Sequence, residues 1–425
     1  MFLRNLSLAL VFALGLMGYP ILAGIMSTLG AGDARFPSVV FRLLLAMLAI
    51  ACLFLNRKLL RFNHPLLQVA FIIFWVGFIY RIFYDFFIIQ VVSDDLDGLT
   101  VVVNAFIFVV IPTLASFIGL SYRNKDIAYS LVLICTIVAA FFLLIDSREL
   151  IFSLVERRQI RFSLEKLNPI AVGYVGATLI VLCAVKLLDG ILKGKFLTTA
   201  LYVLGIATGL FILLISASKG PAVATVICLV FYWFLPFRVP KFILGSVLVV
   251  VLALGVTQMH GYILKQFDLD VSTRFVDAAE EETESVDSRE RMFASAWQQF
   301  LEKPILGSAL LEETSGFYPH NLVLEAFMAT GIIGGCAYLL LIALMLNASI
   351  RLLIKADGYE WLALLAIMYL VGAQFSGSHW GFNAHWQSLV LVIVTERATN
   401  RGGVTAADTN VTQPVRRRRR KKVYA

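Results

Sequence analysis

The sequence has few of the charged residues that cover the surface of a soluble protein. Charged residues make up 15% of the 425 residues, hydrophobic residues make up 60%, and the mean hydropathy is +0.85. A soluble domain needs more polar surface than this to cover its core. Apolar runs of roughly 18 or more residues recur along the chain, which is the length a helix needs to cross a bilayer. The composition therefore predicts an all-α polytopic membrane protein.

The motifs of many soluble enzymes are missing. The sequence contains no phosphate-binding glycine loop, no Cys-x-x-Cys pair, no His-Glu-x-x-His and no Gly-x-Ser-x-Gly. The cysteines all lie in apolar runs, which predicts buried packing without a disulfide or a metal cluster: Cys52, Cys135, Cys183, Cys228 and Cys336. We therefore expect no cofactor, no metal site and no step driven by ATP.

About twelve transmembrane helices are predicted from the apolar runs, near residues 6–30, 36–56, 66–91, 100–121, 127–147, 169–189, 196–216, 220–237, 242–260, 320–348, 359–377 and 384–397. Lys and Arg residues follow the even-numbered spans, for example Arg57 and Lys58 after the second and Arg351 and Lys355 after the tenth. Since positive charge marks cytoplasmic loops, both termini are predicted to be cytoplasmic. The first run is read as a retained span and not as a cleaved signal peptide.

The chain divides into four predicted regions. Residues 1–259 hold transmembrane helices 1–9, residues 260–319 form a large outward loop, and residues 320–398 hold helices 10–12. Residues 399–425 form a basic tail that contains seven consecutive Arg and Lys residues, 416–422. This tail is predicted to be disordered and to touch anionic membrane lipids. It has no interleaved aromatic residues or folded context, so no nucleic acid is expected as a partner.

Two outward segments depart from the usual distribution of charge. Residues 147–168 carry Arg157, Arg158 and Arg161 on the side where positive charge is normally sparse. In the large loop, residues 288–302 have the spacing of an amphipathic helix, which Pro304 and Gly307 end. The same spacing places Arg289 with Met292, Phe293, Ala296, Trp297 and Phe300 on the apolar face, and Arg291 on the polar face. We expect Arg289 to point inward and Arg291 to point to water.

A polar constellation precedes the tenth span, at Tyr318-Pro319-His320-Asn321. A helix N-terminus favours anions, and histidine accepts a proton near neutral pH. Glu325 follows about one turn deeper, in an apolar helix where a carboxylate is costly. For these residues plainer interpretations stay open: an interfacial histidine, an asparagine helix cap and glycines that permit close packing. Arg81 and Asp85, four residues apart in the third span, are predicted to pair.

The chain resembles the O-antigen ligase and O-antigen polymerase superfamily. The resemblance rests on Arg289, Trp297, Pro304-Ile305-Leu306-Gly307, His320-Asn321, Glu325 and Gly331-Ile332-Ile333-Gly334. Upstream, Arg161-Phe162 with Asn168-Pro169-Ile170 and Gly173 is similar to the family's second arginine segment, and Ser216-Ala217-Ser218-Lys219-Gly220 is similar to its turn before the next span.

The resemblance implies a bundle like that of C-type glycosyltransferases, with a large periplasmic loop, in the bacterial inner membrane. It also implies a donor glycan on undecaprenyl diphosphate and, for a ligase, a lipid A–core oligosaccharide acceptor. Catalysis is then expected from His320, Arg289 and Arg161, with His320 as base or only as a substrate ligand. Guanidinium groups can neutralise a leaving diphosphate without a metal. Substrate binding is expected from Arg157, Arg158, Lys219 and Asn321.

Several functions stay open at this point. An O-antigen polymerase and a protein O-oligosaccharyltransferase use the same donor and differ in the acceptor. A polytopic transporter of lipid or glycan belongs to a different class, but the polar residues crowd one membrane face and not the midplane, where transporters bind. The acidic run Asp94-Asp95-Leu96-Asp97 is read as an ordinary outward loop, with a metal-binding or basic role as the alternative.

Overall fold

The structure is a computed structural model that describes residues 2–30, 35–59, 64–90, 97–121, 124–156, 167–192, 194–216, 218–235, 242–243, 246 and 289–410. Its regular structure is helical. We number the helices α1 (Phe2–Thr28), α2 (Arg35–Leu55), α3 (Pro65–Phe83), α4 (Gly98–Val103), α5 (Ile111–Ser116), α6 (Lys125–Glu156), α7 (Pro169–Leu192), α8 (Phe196–Ser216), α9 (Lys219–Phe234), α10 (289–302), α11 (Leu322–Lys355), α12 (Glu360–Gly372) and α13 (Asn383–Asn410). A wider π-helical segment, Tyr84–Ile89, extends α3, and another, Asn104–Val110, joins α4 to α5.

The described residues form eight helical stretches that are long and apolar enough to cross a membrane. These coincide with the first seven predicted spans and with the tenth, while α9 and α12 are shorter apolar helices at the eighth and eleventh. The predicted ninth span lies almost entirely outside the described residues. The last helix continues past the predicted start of the tail at residue 399, to Asn410. The chain is thus an all-α, multi-pass membrane protein, and the number of about twelve spans stays a prediction.

The turns that carry the predicted cytoplasmic charges meet at one end of the bundle. Arg351 pairs with Glu396 at 3.8 Å, and the backbone N–H of Leu120 donates to the hydroxyl of Thr395 at 3.0 Å. Lys125 donates to the backbone carbonyl of Asp357. We call this the basic end, and the opposite end, where α3 finishes and α9 begins, the site end.

Helix α12 is too short to cross a bilayer. Its 13 residues span about 20 Å, against about 30 Å for a hydrocarbon core. The side chain of Asn383, at the start of α13, donates to the backbone carbonyl of Gly15, about halfway along α1, at 3.2 Å. The floor loop, which we define as residues 373–382, therefore ends within the bundle, and its residues Ser378, His379 and Trp380 are buried.

Helix α11 folds back on itself at Gly331. This residue has a non-helical backbone, with φ of 65° and ψ of −162°. A Cβ on Gly335 would overlap the ring of Phe327, although eight residues of straight helix would separate them by about 12 Å. His379 confirms the fold-back, since its ring bonds to the carbonyl of Leu322 at 2.8 Å and also lies 4.6 Å from the ring of Tyr338. Residues 322–330 are thus a re-entrant segment whose first residues lie inside the bundle.

Small residues allow the close helix packing that the sequence predicts. In the contact between α7 and α8, an added Cβ on Gly176 would lie 2.5 Å from the carbonyl oxygen of Gly209. Close backbone approach of this kind is the usual way in which membrane helices associate. The cysteines pack as predicted at Cys52, Cys183 and Cys228, which are buried. Cys336 corrects the prediction, because it lies exposed on the outer surface of α11.

Candidate functional site

Arg81, near the end of α3, holds the latch loop, which we define as residues 303–310. Its buried guanidinium donates at 2.7–3.3 Å to the carboxylate of Asp85 and to the backbone carbonyls of Leu306, Gly307, Ser308 and Ala329. Asp85 accepts the backbone N–H of Leu310 at 2.6 Å. A guanidinium has five N–H donors, and all five are used here. Arg81 and Asp85 therefore pair, as their spacing predicts, and they fasten the loop.

The latch loop fills the break in α11. The backbone N–H of Ile332 donates to the carbonyl of Pro304 at 2.7 Å, and that of Ser308 donates to the carbonyl of Met328 at 2.9 Å. Gly307 has φ of 79°, and a Cβ there would overlap the backbone of Ala329. The Pro-Ile-Leu-Gly and Gly-Ile-Ile-Gly runs are therefore two halves of one contact. It satisfies peptide groups that a broken membrane helix would otherwise leave unpaired.

Helix α10 enters the latch loop and carries Arg289 at its first described residue. Arg289 is half-buried and Arg291 is exposed, as the predicted helix faces require. Phe300 is buried against the ring of Phe327 at 5.3 Å. Trp297 departs from the prediction, with an exposed fraction of 49%. Gln299 is buried instead. Its side-chain N–H donates to the backbone carbonyl of Leu311, and its side-chain oxygen accepts the backbone N–H of Glu313.

A tight turn connects the latch loop to the histidine. The carboxylate of Glu312 accepts the backbone and hydroxyl groups of Thr314 and Ser315, at 2.6–2.9 Å. Burial opposes ionisation of this carboxyl, but hydrogen bonds from Ser295, Thr314 and Ser315 outweigh burial, and the pKa of Glu312 is lowered. Because Ser295 belongs to α10, the turn at Glu312 connects that helix to the segment that leads to His320.

His320 stands in a strained backbone conformation just before the re-entrant segment. Its φ is 53°, in the left-handed region that costs a non-glycine residue of order 1–3 kcal/mol. Such strain persists where the surrounding structure imposes it, and it clusters at functional sites. The next residue, Asn321, is the N-cap of α11, and its side-chain oxygen accepts the backbone N–H of Leu324 at 3.0 Å. Asn321 is therefore a helix cap, the plainer of its two interpretations.

The surroundings of His320 favour a neutral imidazole. Burial lowers its pKa from the usual 6.5, and the nearby charge of Arg289 lowers it further. The ring of Tyr318 meets the ring of His320 edge-on at 4.5 Å. Burial and the charge of Glu325 raise the pKa of Tyr318 to about 12. Arg289 and His320, separated by 31 positions in the sequence, thus lie close enough to interact electrostatically.

Lys219 lies near the same region, at the first residue of α9. Its neighbour Gly220 packs on Phe375 of the floor loop, where an added Cβ would lie 3.3 Å from that of Phe375. Gln374 precedes Phe375 in the floor loop. Its backbone carbonyl accepts a hydrogen bond from the side-chain N–H of Asn321 at 3.4 Å. The turn from α8 to α9 also packs on α7, because Pro221 lies against Gly173. The predicted turn at residues 216–220 is therefore joined to His320 through the floor loop.

Arg289 and His320 thus interact although they are far apart in the chain, and Lys219 lies in a turn that packs on the same floor loop. One comparison with known proteins found a match. Residues 204–339 match the O-antigen ligase family. The match confirms the resemblance recognised in the sequence, and it implies a glycosyltransferase-like enzyme of lipopolysaccharide biosynthesis. No curated protein and no solved structure matches the chain.

The O-antigen ligase region contains only part of the predicted site. It includes Lys219, Arg289, His320 and Asn321, and it ends in the second part of α11. Arg157, Arg158 and Arg161 lie outside the described residues, so their roles stay predictions. The acidic run at residues 94–96 lies outside them as well, while Asp97 caps α4 by accepting the backbone N–H of Thr100 at 3.1 Å. Among the residues that the structure describes, no group of three or more His, Cys, Asp and Glu side chains could hold a metal ion.

His379 and the floor loop around it are absent from the predicted site. His379 is fully buried and bonds to both ends of the first turn of α11, at Leu322 and Glu325. The sequence carries one signal, since Ser376-Gly377-Ser378-His379-Trp380-Gly381 is a polar and glycine-rich run between two apolar runs. The run alone does not show that α12 is too short to cross a bilayer, and so it does not predict a buried loop.

Proposed function

We propose that this protein is an O-antigen ligase. It transfers glycan as a block from undecaprenyl diphosphate to lipid A–core oligosaccharide, at the periplasmic face of the bacterial inner membrane. The observation that carries the proposal is the position of His320: it precedes the N-cap of α11 in a left-handed backbone and lies near enough to Arg289 for that charge to lower its pKa, within the region that matches the family. The reaction needs neither metal nor nucleotide, since a cation and a base are both supplied by side chains.

In the proposed reaction, His320 acts as the general base. A neutral ring nitrogen takes the proton of an acceptor sugar hydroxyl, and the oxygen attacks the anomeric carbon of the donor glycan. The bond from that carbon to the diphosphate oxygen breaks, and undecaprenyl diphosphate leaves with the electron pair. Arg289 stands where it neutralises the charge on the leaving diphosphate, with Arg161 as a second catalytic arginine.

The remaining predicted residues hold the substrates. Arg157, Arg158 and Lys219 bind the diphosphate as cations, and Asn321 orients the start of α11 so that its N-terminus faces the anion. Of these, only Lys219 and Asn321 belong to the described residues: Asn321 donates to the floor loop, and Gly220, which follows Lys219, packs on it. The basic end, with both termini, then lies in the cytoplasm, and the site end faces the periplasm.

The broken helix does not favour a transporter. Transporters use the peptide groups at such breaks to bind substrates and ions near the membrane midplane. Here the groups on both sides of Gly331 bind the protein's own latch loop and the guanidinium of Arg81. The break is therefore used for structure, and the groups available for chemistry lie around His320.

The test is transfer by the purified protein in detergent, with a lipid diphosphate glycan, lipid A–core and a chelator, and without nucleotide. A ligase joins glycan to lipid A–core under these conditions, and His320→Ala lowers kcat/KM by about 10²–10⁴-fold. Elongation of the lipid-linked glycan would instead identify a polymerase, and transfer to a protein acceptor would identify an O-oligosaccharyltransferase. Absence of any transfer with both substrates present would refute the proposed enzyme.

A further inference from the structure

The floor loop and the start of α11 are joined by four hydrogen bonds. Two run from α11 to the loop: the backbone N–H of Leu322 donates to the carbonyl of Ala373 at 3.2 Å, and the side chain of Asn321 donates to the carbonyl of Gln374 at 3.4 Å. The other two involve His379 and are formed by groups buried in the bundle. His320 precedes this junction by only one residue, so the junction fixes the backbone from which His320 projects.

Glu325 receives the first of the two bonds from His379. Its carboxylate has no exposed surface and accepts the backbone N–H of His379, at 3.1 Å for one oxygen and 3.3 Å for the other. A carboxylate inside a membrane bundle is costly unless it has a specific task. It lies in the first turn of α11, where the helix dipole favours an acceptor of this kind.

The ring of His379 forms the second bond. Its Nε2 lies 2.8 Å from the carbonyl oxygen of Leu322. A carbonyl only accepts, so Nε2 carries the hydrogen and donates it. Three aromatic rings hold the imidazole in this orientation, with centroids at 4.6–5.2 Å: those of Phe74, Phe78 and Tyr338. The backbone and the side chain of one residue thus clamp both ends of the first turn of α11.

We propose that Glu325 and His379 are positioning residues for His320, holding the start of α11 so that His320 keeps its left-handed backbone and faces Arg289. Nothing in the proposed reaction assigns a role to either residue. The expected change in kcat rests on the proposed function, whereas the expected change in the position of His320 does not. Glu325 acts as a hydrogen-bond acceptor, so its negative charge is dispensable.

Matched variants separate an acceptor from a charge. Glu325→Gln keeps an acceptor oxygen for the backbone N–H of His379, whereas Glu325→Ala removes it. In the same way, His379→Gln keeps an N–H that reaches the carbonyl of Leu322, whereas His379→Ala does not. We expect the glutamine variants to retain kcat within about threefold and both alanine variants to lose at least tenfold. KM should change less than kcat, because neither Glu325 nor His379 contacts a substrate in the proposed reaction.

Titration of the His320 ring tests, without any catalytic turnover, whether Glu325 and His379 hold His320 in position. The chain has five histidines, so the ring of His320 can be assigned in ¹³C-labelled full-length protein in detergent by comparison with His320→Gln. Among the described residues, the charged and titratable groups that act on His320 or contact its ring are Arg289 on α10 and Tyr318, and Glu325 in turn acts on Tyr318. Displacement of His320 from Arg289 removes a cause of its lowered pKa, so the titration midpoint should rise in both alanine variants and stay in place in both glutamine variants.

The outcomes are distinct. The positioning role is supported if the titration midpoint of His320 and kcat both change in the alanine variants and both stay near the wild-type values in the glutamine variants. If the wild-type protein transfers no glycan but the midpoint still shifts, the proposed function fails and the positioning role stands. A Glu325→Gln variant as damaged as Glu325→Ala, or an unmoved midpoint in folded alanine variants, would overturn the inference.

Discussion

Two arginines near the site end, Arg81 and Arg289, have opposite surroundings. Arg81 is buried, pairs with Asp85, and has every N–H donor bonded to an acceptor of the protein. Arg289 is half-buried, and its charge lies near enough to His320 to lower the pKa of that histidine. A satisfied guanidinium stabilises the fold, whereas one with donors to spare can bind an anion.

The two arginines are connected through the latch loop. Arg81 fastens the latch loop, and the latch loop leads from α10 to the turn at Glu312 and on to His320. The structural arginine therefore holds the element that carries the proposed catalytic one. Four variants test whether the two arginines differ in this way.

The largest expected effect is on stability, from Arg81→Ala. This variant leaves Asp85 buried without its cation and leaves four carbonyls without their donor. Breaking a buried pair in this way costs about 3–5 kcal/mol, so we expect a large fall in the thermal unfolding midpoint in detergent. Arg81→Lys should recover little, since an ammonium cannot reproduce the five-donor fork. An unchanged midpoint would show that the latch is not needed for the fold.

The next effect is on catalysis, from Arg289→Ala. Loss of a cation that stabilises the leaving diphosphate should lower kcat/KM by about 10²–10³-fold, with the unfolding midpoint within a few degrees of the wild type. Arg291→Ala is the matched control, because Arg291 lies on the same helix with its side chain exposed. Equal losses in the two variants would contradict the assignment of the catalytic arginine from the helix faces.

A smaller effect is expected from Gly331→Ala. The residue has φ of 65°, and a Cβ there would overlap the carbonyl of Ile305. Gly194 has a similar φ of 63° but open space around it, so Gly194→Ala measures backbone strain alone, about 1 kcal/mol. Gly331→Ala should cost clearly more in a thermal unfolding experiment. Similar costs would mean that the latch loop shifts easily away from the break.

The smallest effect concerns pH. Since burial and Arg289 lower the pKa of His320 below 6.5, the base is unprotonated at neutral pH and activity falls only when acid protonates it. The acid limb of the kcat/KM profile should therefore lie below pH 6.5. Arg289→Gln removes a nearby positive charge, so the limb should move to higher pH. A limb that moves to lower pH, or does not move, would argue against an electrostatic contact between the two side chains.

Much of this protein follows from local properties of the sequence. The apolar runs identify membrane helices because each span must be apolar over its own length. The 3.6-residue spacing correctly separates Arg289 from Arg291, since helix faces depend only on neighbouring positions. Spacing likewise predicts the pair of Arg81 with Asp85, and the helix cap at Asn321 is the plainer of the two interpretations that the sequence left open. Trp297 shows the limit of this reasoning, because its exposure depends on what packs against α10.

Membrane class, family resemblance and the candidate base and arginine are therefore already readable in the amino-acid sequence. The fold-back of α11 at Gly331, the latch loop in the break and the bonds of His379 to the start of the helix become visible only in the folded chain. They depend on contacts between residues far apart in the sequence: Arg81 meets Ser308, and Leu322 meets His379. Periodicity and composition describe each segment alone, whereas the peptide groups freed by a broken helix find partners that only the folded chain supplies.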